Sequence, residues 1–252
     1  MATSNTDEQE TGRSAAAIIT GGAQGIGAAI TASMLDAGYD VICLDMRKPN
    51  LRHERLHYRD VDLRDVAATR QAVEDAAGAF GVTHVVHNAG AVRAAALSDI
   101  AQDDLAALAQ LHLGAAIALV QPMIAQWKAD RFGRIVLVSS RAALGAPGRS
   151  VYSATKAGMI GLAKSWALEL AVFGITVNVV APGPIAGTGM FQQVAGNAEI
   201  EKKVLQAIPA GRAGSPDDVA RAVMFFADRA NAFVTGQTLY VCGGTSIGSV
   251  PG

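Results

Sequence analysis

The sequence predicts an α/β protein in which helices cover both faces of a doubly wound parallel sheet of seven strands. Short β-branched runs alternate with longer helical patterns along the chain, as in βαβ units. Half of the residues are hydrophobic but only 5% are aromatic, a balance typical of strands that alternate with Ala-rich helices. No internal repeat or low-complexity linker divides the 252 residues. We therefore expect a polar, flexible tail at residues 1–14 and a single domain at 15–252.

Each predicted element is a short apolar run or a helical pattern between turn residues. The predicted strands are Ala15–Thr20, Val41–Asp45, Leu56–Val61, His84–Asn88, Arg134–Ser139, Thr176–Val180 and Thr238–Val241. The predicted helices are Gly25–Ala37, Asp65–Phe80, Asp103–Ala129, Val151–Val172 and Pro216–Ala227. The segment between Asp45 and Leu56 is too short for a crossover helix. The longest insertion, Ala181 to Lys203, is expected to form a mobile lid over the substrate.

Composition and charge exclude several classes of function. The net charge of −1 provides no basic field for nucleic acid or for anionic lipid. Cys43 and Cys242 lie in apolar stretches without metal-ligand spacing, so we expect buried free thiols, no metal site and a cytoplasmic location. The longest apolar tract, Leu105 to Val120, is too short and too polar to span a bilayer, so we expect no membrane segment.

A glycine-rich segment, Thr20 to Gly27, directly follows the first predicted strand and opens the first predicted helix. Gly21 suits a tight turn, Gly25 allows the backbone to approach phosphate groups, and Gly27 allows the helix to pack closely on the strand. A nucleotide pyrophosphate can accept hydrogen bonds from the free N–H groups at such a helix N-terminus. The segment therefore predicts a dinucleotide site.

Asp45 ends the second strand, about twenty residues beyond the glycines, where a carboxylate can accept hydrogen bonds from the adenosine ribose. Its charge would repel a 2′-phosphate, and neither Gln24 nor Met46 supplies a cation. This favours NAD over NADP. Arg47 and Lys48 lie close enough to keep NADP as an alternative.

A phenol and an ammonium, Tyr152 and Lys156, stand four residues apart on one helix face. An adjacent ammonium lowers the pKa of a phenol, which would make Tyr152 a usable acid or base near neutrality. Ser140, at the end of the preceding strand, can orient a carbonyl or alcohol oxygen. Its neighbour Ser139 is a reserve assignment, and a strand-end capping serine is the structural alternative for both.

Beyond residue 14 the chain resembles a short-chain dehydrogenase/reductase of the Rossmann type over essentially its whole length. The motifs that match, in order, are Thr20–Gly27, Asp62-Leu63, Asn88-Ala89-Gly90, the set Ser140, Tyr152 and Lys156, and Asn178–Pro184. The resemblance implies that the cofactor is held by Gly21, Gln24, Gly25, Ile26, Gly27, Asp45, Asp62, Leu63, Asn88, Ala89, Gly90, Tyr152, Lys156, Pro182, Gly183, Ile185 and Thr188.

Four positions depart from the family pattern. His112 stands where the family usually carries a catalytic Asn that helps to hold a proton-relay water. His112 is therefore a further catalytic candidate. The alternative is a helix histidine that takes no part in a proton relay. His87 replaces the first Asn of the usual Asn-Asn-Ala-Gly. The loop after Ser140 is one residue shorter than expected, which keeps Ser139 in consideration. One extra residue precedes Thr188, the match for the nicotinamide amide contact.

These residues predict reversible hydride transfer between a nicotinamide cofactor and a secondary alcohol, with Tyr152 as the acid or base. We expect NAD-linked oxidation of a secondary alcohol or a cyclic vicinal diol to the ketone. An NADPH-dependent 3-oxoacyl thioester reductase is the enzymatic alternative, and a nucleotide-sensing protein without catalysis is an alternative of another class. The pocket wall from Arg141 to Val151 also carries Arg149, and these two arginines either meet an anionic substrate group or are solvated surface charges.

The apolar faces of Asp103–Ala129 and Val151–Val172 fit core helices, a subunit interface, or both. Members of the family usually pair these helices. The resemblance therefore implies a homotetramer.

Overall fold

The computed structural model describes residues 15–248, so the predicted tail at 1–14 lies outside the described residues. Seven parallel strands form a single sheet in the order β3-β2-β1-β4-β5-β6-β7. The strands are β1 Ala15–Thr20, β2 Asp40–Asp45, β3 Leu56–Asp60, β4 Gly81–His87, β5 Gly133–Val138, β6 Ile175–Pro182 and β7 Thr238–Val241. This confirms the predicted α/β fold with its seven-stranded parallel sheet.

The helices between the strands are α1 Gly25–Asp36, α2 Val66–Ala79, α3 Gln102–Asp130, α4 Ser150–Leu170, α5 Gly189–Ala195, α6 Ala198–Gln206 and α7 Pro216–Ala227. Local sequence explains several of the boundaries. The Asp65 carboxylate accepts a hydrogen bond from the Ala68 N–H and caps α2. Ser215 and Asp218 form a reciprocal capping box at the start of α7, with Pro216 in its first turn.

One predicted helix differs from the sequence-based expectations. The predicted continuous helix 103–129 contains a π turn at Gln110–Gly114 and a 3-10 turn at Gln121–Met123. Pro122 lacks an N–H and cannot continue the α-helical hydrogen bonds, which explains the second interruption. The predicted lid segment folds as a turn followed by α5 and α6, and α5 borders the cavity described below.

The hydrophobic core lies on both faces of the sheet. On one face α2, α3 and α4 pack through buried residues such as Val73, Leu119 and Met159. On the other face α1 packs against α7, with Met34 and Phe226 buried at the contact. Because both faces are covered, the central strands are largely buried, as in β6, where all eight residues are buried and only Thr176 and Asn178 are polar.

Helix α3 is the one described helix that is long and apolar enough, by length and composition, to cross a membrane. Its residues Leu119, Met123 and Trp127 are at most 3% exposed and belong to the core. The Trp127 indole N–H also donates to the Val82 carbonyl, 2.7 Å away, at the start of β4. Within this fold α3 is therefore a core helix.

The strand order reverses between β1 and β4, and a parallel α/β sheet opens a crevice at the carboxyl ends of such a pair. Thr20 ends β1 and Asn88 follows β4 at this point. The Asn88 side-chain amide donates to the Thr20 carbonyl at 3.1 Å and to the Gly21 carbonyl at 3.0 Å. Asn88 thereby ties the glycine-rich turn to β4.

Candidate active site

A cavity of about 1240 Å³ opens at the carboxyl ends of the strands. One end is lined by the glycine-rich turn and by residues that follow β2 and β3, and the other by residues that follow β5 and begin α4. Every predicted cofactor or catalytic residue except His112 borders this cavity or lies in its wall. Within residues 15–248, no group of three or more His, Cys, Asp or Glu side chains is arranged to hold a metal ion.

The glycine-rich turn leaves the backbone open toward the cavity. Gly21 and Gly25 adopt φ values of 65° and 54°, in the left-handed region that favours glycine. A Cβ on Gly27 would collide with the Gly21 carbonyl oxygen. Gln24 caps α1 without a side-chain hydrogen bond to the helix, so the first N–H groups of α1 are not covered by their own cap. This cradle fits a pyrophosphate.

Asp45 lies beside this turn at the end of β2. Its Oδ2 accepts a hydrogen bond of 3.0 Å from the Ala23 N–H, and its Oδ1 accepts one of 2.9 Å from the Arg47 N–H. The Arg47 guanidinium donates to the Gln24 side-chain oxygen at 2.9 Å. The carboxylate and the guanidinium therefore lie at the same end of the cavity, so Arg47 lies near Asp45, as the sequence-based alternative of NADP binding requires.

Asp62 and Leu63 follow β3 on the rim of the same end. The Arg64 guanidinium donates three hydrogen bonds of 2.7 to 3.1 Å to the Asp62 carboxylate, and these bonds lower the pKa of Asp62. Leu63 is 5% exposed and contributes an apolar surface. The pair offers an adenine ring an apolar wall with a fixed charge beside it.

The predicted nicotinamide-side residues also line the cavity, and Thr188 lies close to the glycine-rich turn. The Thr188 hydroxyl donates to the Ile185 carbonyl at 2.8 Å and accepts from the Phe191 N–H at 3.1 Å, which caps α5. A Cβ on Gly25 would lie 3.4 Å from the Thr188 methyl group. Pro182 and Gly183 also border the cavity. The assignment of Thr188 as the nicotinamide contact stays a prediction.

Tyr152 and Ser140 meet at the opposite end. Tyr152 is 3% exposed, and its burial raises the pKa of the phenol above 10. A hydrogen bond with the Ser140 side chain and the charge of Arg149 act in the opposite direction and lower that pKa. The Tyr152 hydroxyl also donates to the Met190 sulfur at 3.5 Å. Met190 belongs to α5, so the predicted lid touches the phenol.

Lys156 is fully buried, and desolvation lowers the pKa of its ammonium to about 7. Its Nζ donates to the Val138 carbonyl at 2.8 Å and lies 5.8 Å from the centre of the Tyr152 ring. In this structure the Lys156 ammonium is directed toward β5, and burial is the largest influence on the pKa of Tyr152, while Ser140 and Arg149 act to lower it. The expectation that Lys156 lowers the pKa of Tyr152 stays a prediction.

The two neighbouring serines have different surroundings. The Ser139 hydroxyl donates to the Lys156 carbonyl at 2.7 Å and is buried against α4. The Ser140 Oγ accepts from the Ala142 N–H at 3.1 Å and interacts with the phenol. Ser139 is thus engaged in holding the helix that carries Tyr152, and Ser140 is the serine whose hydroxyl reaches it.

His112 lies in the π turn of α3 and is fully buried. Its Nε2 accepts from the Ala91 N–H at 3.3 Å, so its Nδ1 carries the proton and donates to the Thr155 hydroxyl at 2.8 Å. Thr155 in turn donates to the Tyr152 carbonyl at 3.0 Å. Burial, Lys156 and His87 lower the pKa of His112 to about 2, so the imidazole is neutral. Both ring nitrogens are engaged with the protein.

His87, the second departure from the family pattern, lies next to the same π turn. The Thr20 hydroxyl accepts from the N–H groups of Asn88 and Ala89, both at 3.0 Å, so its own proton points to His87 Nδ1 at 2.9 Å. The His87 Nε2 proton is then donated to the Leu111 carbonyl at 3.2 Å. The two histidines therefore connect the end of β1, the π turn and α4.

Sequence reasoning missed three contacts of this site: Met190 on the phenol, Thr155 on His112, and Gln24 on Arg47. Only Thr155 carried a signal, because it lies between Tyr152 and Lys156 on the same helix. The other two contacts join residues at least 23 positions apart in the chain.

Comparisons with known proteins agree with this geometry. A family model described as Enoyl-(Acyl carrier protein) reductase matches residues 21–246. The (2S)-((R)-hydroxy(phenyl)methyl)succinyl-CoA dehydrogenase subunit BbsD of Thauera aromatica is 35% identical over 92% of this chain and 96% of its own. The 3-oxoacyl-(acyl-carrier-protein) reductase FabG of Thermotoga maritima is 34% identical over 91% and 97%.

Two solved structures also match. ElxO with NADP bound has a TM-score of 0.85 and 26% identity, covering 92% of this chain and 98% of its own. A putative 2-deoxy-D-gluconate 3-dehydrogenase from Agrobacterium tumefaciens with bound NADP has a TM-score of 0.82 and 30% identity, covering 92% and 96%. Both neighbours hold a nicotinamide nucleotide.

Proposed function

Because the chain belongs to the short-chain dehydrogenase/reductase family and is an NAD(P)-dependent oxidoreductase acting on CH–OH or keto groups, we propose that it interconverts a secondary alcohol and its ketone with NAD. The observation that carries the proposal is the contact between the Ser140 hydroxyl and the Tyr152 phenol inside the cavity, with Lys156 buried behind them. A secondary alcohol or a cyclic vicinal diol is the proposed substrate class.

Each side chain of this set has a distinct task. Tyr152 accepts the alcohol proton in oxidation and returns it in reduction. Ser140 donates a hydrogen bond that holds the reacting oxygen against the phenol. Lys156, with a pKa near 7, provides donors for the ribose once its bond to the Val138 carbonyl is exchanged. His112 is proposed as a positioning residue, since both of its nitrogens are bonded to protein groups.

The nucleotide, when bound, supplies the hydride acceptor or donor. The residues present fit it: the open glycine turn would hold the pyrophosphate, Asp45 would bind the adenosine ribose, and Thr188 would bind the nicotinamide. The Asp45 carboxylate supports NAD as the preferred form. Arg47 beside Gln24 offers a cation to a 2′-phosphate, so NADP is the alternative.

Reduction of a 3-oxoacyl thioester with NADPH is the second candidate. The relatives favour it, since FabG of Thermotoga maritima is a 3-oxoacyl-(acyl-carrier-protein) reductase and a relative in Shinella zoogloeoides is an acetoacetyl-CoA reductase. Both solved neighbours carry NADP. The two candidates share the proton-transfer residues and differ in substrate and nucleotide.

The deciding experiment measures initial rates with secondary alcohols, cyclic diols and 3-hydroxyacyl thioesters, each with NAD and with NADP. We expect NAD-linked turnover of an alcohol or a diol. Turnover of thioesters alone with NADP would select the second candidate.

Tyr152→Phe supplies the control for the mechanism. It removes the proton carrier and keeps the ring, so kcat should fall by about 10²- to 10⁴-fold while nucleotide affinity is retained. Wild-type turnover in this variant would contradict the role of Tyr152. Nucleotide binding by the wild-type protein without turnover of any substrate would support a nucleotide-sensing protein.

We further propose a cytoplasmic homotetramer that pairs α3 and α4. Leu168 and Val172 at the end of α4 are 86% and 66% exposed, and Ile117 on α3 is 37% exposed. Apolar side chains of this size are covered in a subunit interface at a gain of about 1.5–3 kcal/mol each. Sedimentation equilibrium should give four chains per particle, and a monomer would refute the pairing.

A further inference from the structure

The charges along the cavity are distributed unevenly between its two ends. At the nucleotide end the Arg64 guanidinium pairs with Asp62, and Asp45 accepts hydrogen bonds from the backbone N–H groups of Ala23 and Arg47. Among the described lining residues these are the two carboxylates. The catalytic end therefore carries cationic side chains without a carboxylate of the protein to balance them.

Two arginines flank the reacting groups at the catalytic end. Arg141 directly follows Ser140, and Arg149 stands one turn before Tyr152 at the start of α4. Both line the cavity and both are partly buried. Within residues 15–248, neither guanidinium forms a hydrogen bond or an ion pair with another side chain. Arg149 lies near enough to the phenol to lower its pKa.

We propose that Arg141 and Arg149 form an anion site for a carboxylate that the substrate carries close to its carbinol carbon. The proposal rests on the proposed function, because it names the substrate class of the same cavity. A partly buried guanidinium is costly without a partner, and a carboxylate provides one through two parallel hydrogen bonds. An arginine fits this task better than a lysine because its donors form a planar fork.

The position of the arginines selects a carboxylate near the reacting carbon. Both line the cavity together with Ser140 and Tyr152, and Arg149 lies near enough to the phenol to lower its pKa, so the proposed anion is placed a few bonds from the carbinol. The phosphates of a coenzyme A thioester lie at the far end of a long pantetheine arm. Arg93, which is exposed on the rim and lies 3.7 Å from Asp104, is better placed for such a distant group.

The experiment compares matched substrates that differ in charge. The pairs are 3-hydroxybutyrate with 3-hydroxybutanamide, and a cyclic vicinal diol with and without a ring carboxylate. We expect the wild-type protein to prefer the acid in kcat/KM by at least about tenfold, since a charge-assisted hydrogen bond contributes about that much. Arg141→Gln and Arg149→Gln should each lower the acid-to-amide ratio by about tenfold to a hundredfold.

Arg52→Gln is the matched control. Arg52 is exposed and lies outside the cavity lining, so its removal changes the net charge equally and should leave the ratio unchanged. An acid-to-amide ratio near one in the wild-type protein would overturn the proposal. An acid-to-amide ratio that is unaltered in both Arg141→Gln and Arg149→Gln would also overturn it. The same holds if the only preference seen is for 3-hydroxybutyryl-CoA over the N-acetylcysteamine thioester of 3-hydroxybutyrate.

A binding measurement separates this inference from the proposed function. Quenching of the intrinsic fluorescence of the NAD-bound protein gives the dissociation constants of acetoacetate and acetoacetamide without turnover, because an oxidised nucleotide and a ketone cannot exchange a hydride. If no substrate reacts, tighter binding of acetoacetate that is lost in Arg149→Gln still supports the anion site, whereas equal binding of the two compounds overturns it. If the amide substrate is turned over and acetoacetate and acetoacetamide bind equally, the dehydrogenase function stands and the proposed carboxylate site is refuted.

Discussion

Replacement of His112 tests whether this residue carries protons or positions Tyr152. The imidazole is fully buried and bonded to the Ala91 N–H and to the Thr155 hydroxyl. His112→Ala leaves the Ala91 N–H without its acceptor, at a cost of about 1–3 kcal/mol, and removes one further hydrogen bond of about 1 kcal/mol. The vacated volume adds about 1–2 kcal/mol. We expect the free energy of unfolding to fall by about 3–6 kcal/mol in total.

The kinetic consequence should be small compared with this structural one. The low pKa of His112, about 2, keeps the ring neutral, and its single Nδ1 proton is held by Thr155. We expect kcat to fall by no more than about tenfold, without a shift in the apparent pKa values of the pH–rate profile. Urea unfolding and kcat between about pH 6 and 10 measure both effects.

Two further variants make the test specific. His112→Asn keeps an acceptor and should recover part of the lost stability, which also protects the test if the alanine variant does not fold. Thr155→Val removes the partner of Nδ1 and should destabilise the protein less than His112→Ala while leaving the pH–rate profile in place. A stable His112→Asn protein whose kcat falls by about a hundredfold or more, with a shifted apparent pKa, would refute the positioning role.

Two other predictions concern nucleotide choice and acid stability. Asp45→Ser should lower the preference for NAD over NADP by about tenfold or more in kcat/KM, because it removes the repulsion of a 2′-phosphate and leaves Arg47 in place. An unchanged ratio of the two kcat/KM values would contradict the role of Asp45. Burial lowers the pKa of His84, His87 and His112 to about 4, 3 and 2. In the unfolded chain the pKa of histidine is about 6.5, so below this pH the unfolded chain binds more protons than the folded protein. The contribution of the three neutral rings to the free energy of unfolding is therefore present above pH 6.5 and is lost as the pH falls. Near pH 5 the three groups together should lower the free energy of unfolding by about 3–4 kcal/mol for each pH unit that the pH falls. Urea unfolding at pH 7 and pH 5 measures this change, and a pH-independent midpoint would contradict the neutral state of these rings.

The sequence was most informative where the determinants are local. The glycine-rich turn and the Tyr152–Lys156 pair each depend on backbone conformation and helical spacing over fewer than about ten residues. Their positions in the cavity therefore follow once the strand order is known. Element ends were less certain: β4 begins at Gly81, three residues before the predicted His84, because its first residues pair with Ala15 and Ala16 of β1.

The assignment between the two serines required the three-dimensional structure. Successive residues at the end of a strand point to opposite sides. Ser139 therefore meets the backbone of α4, and Ser140 meets the phenol. The sequence contains both hydroxyls next to each other and gives no indication of which side faces the cavity.

The sequence by itself determined the parallel α/β fold, the glycine-rich turn and the residues proposed for nucleotide binding and proton transfer, because each rests on short-range geometry and residue chemistry. Only the tertiary structure decided the electrostatics of those residues. Burial raises the pKa of Tyr152, Lys156 turns to the Val138 carbonyl, and His112 is fixed by Ala91 and Thr155. These effects depend on desolvation and on partners 18 to 43 residues away, which meet only when the chain has folded.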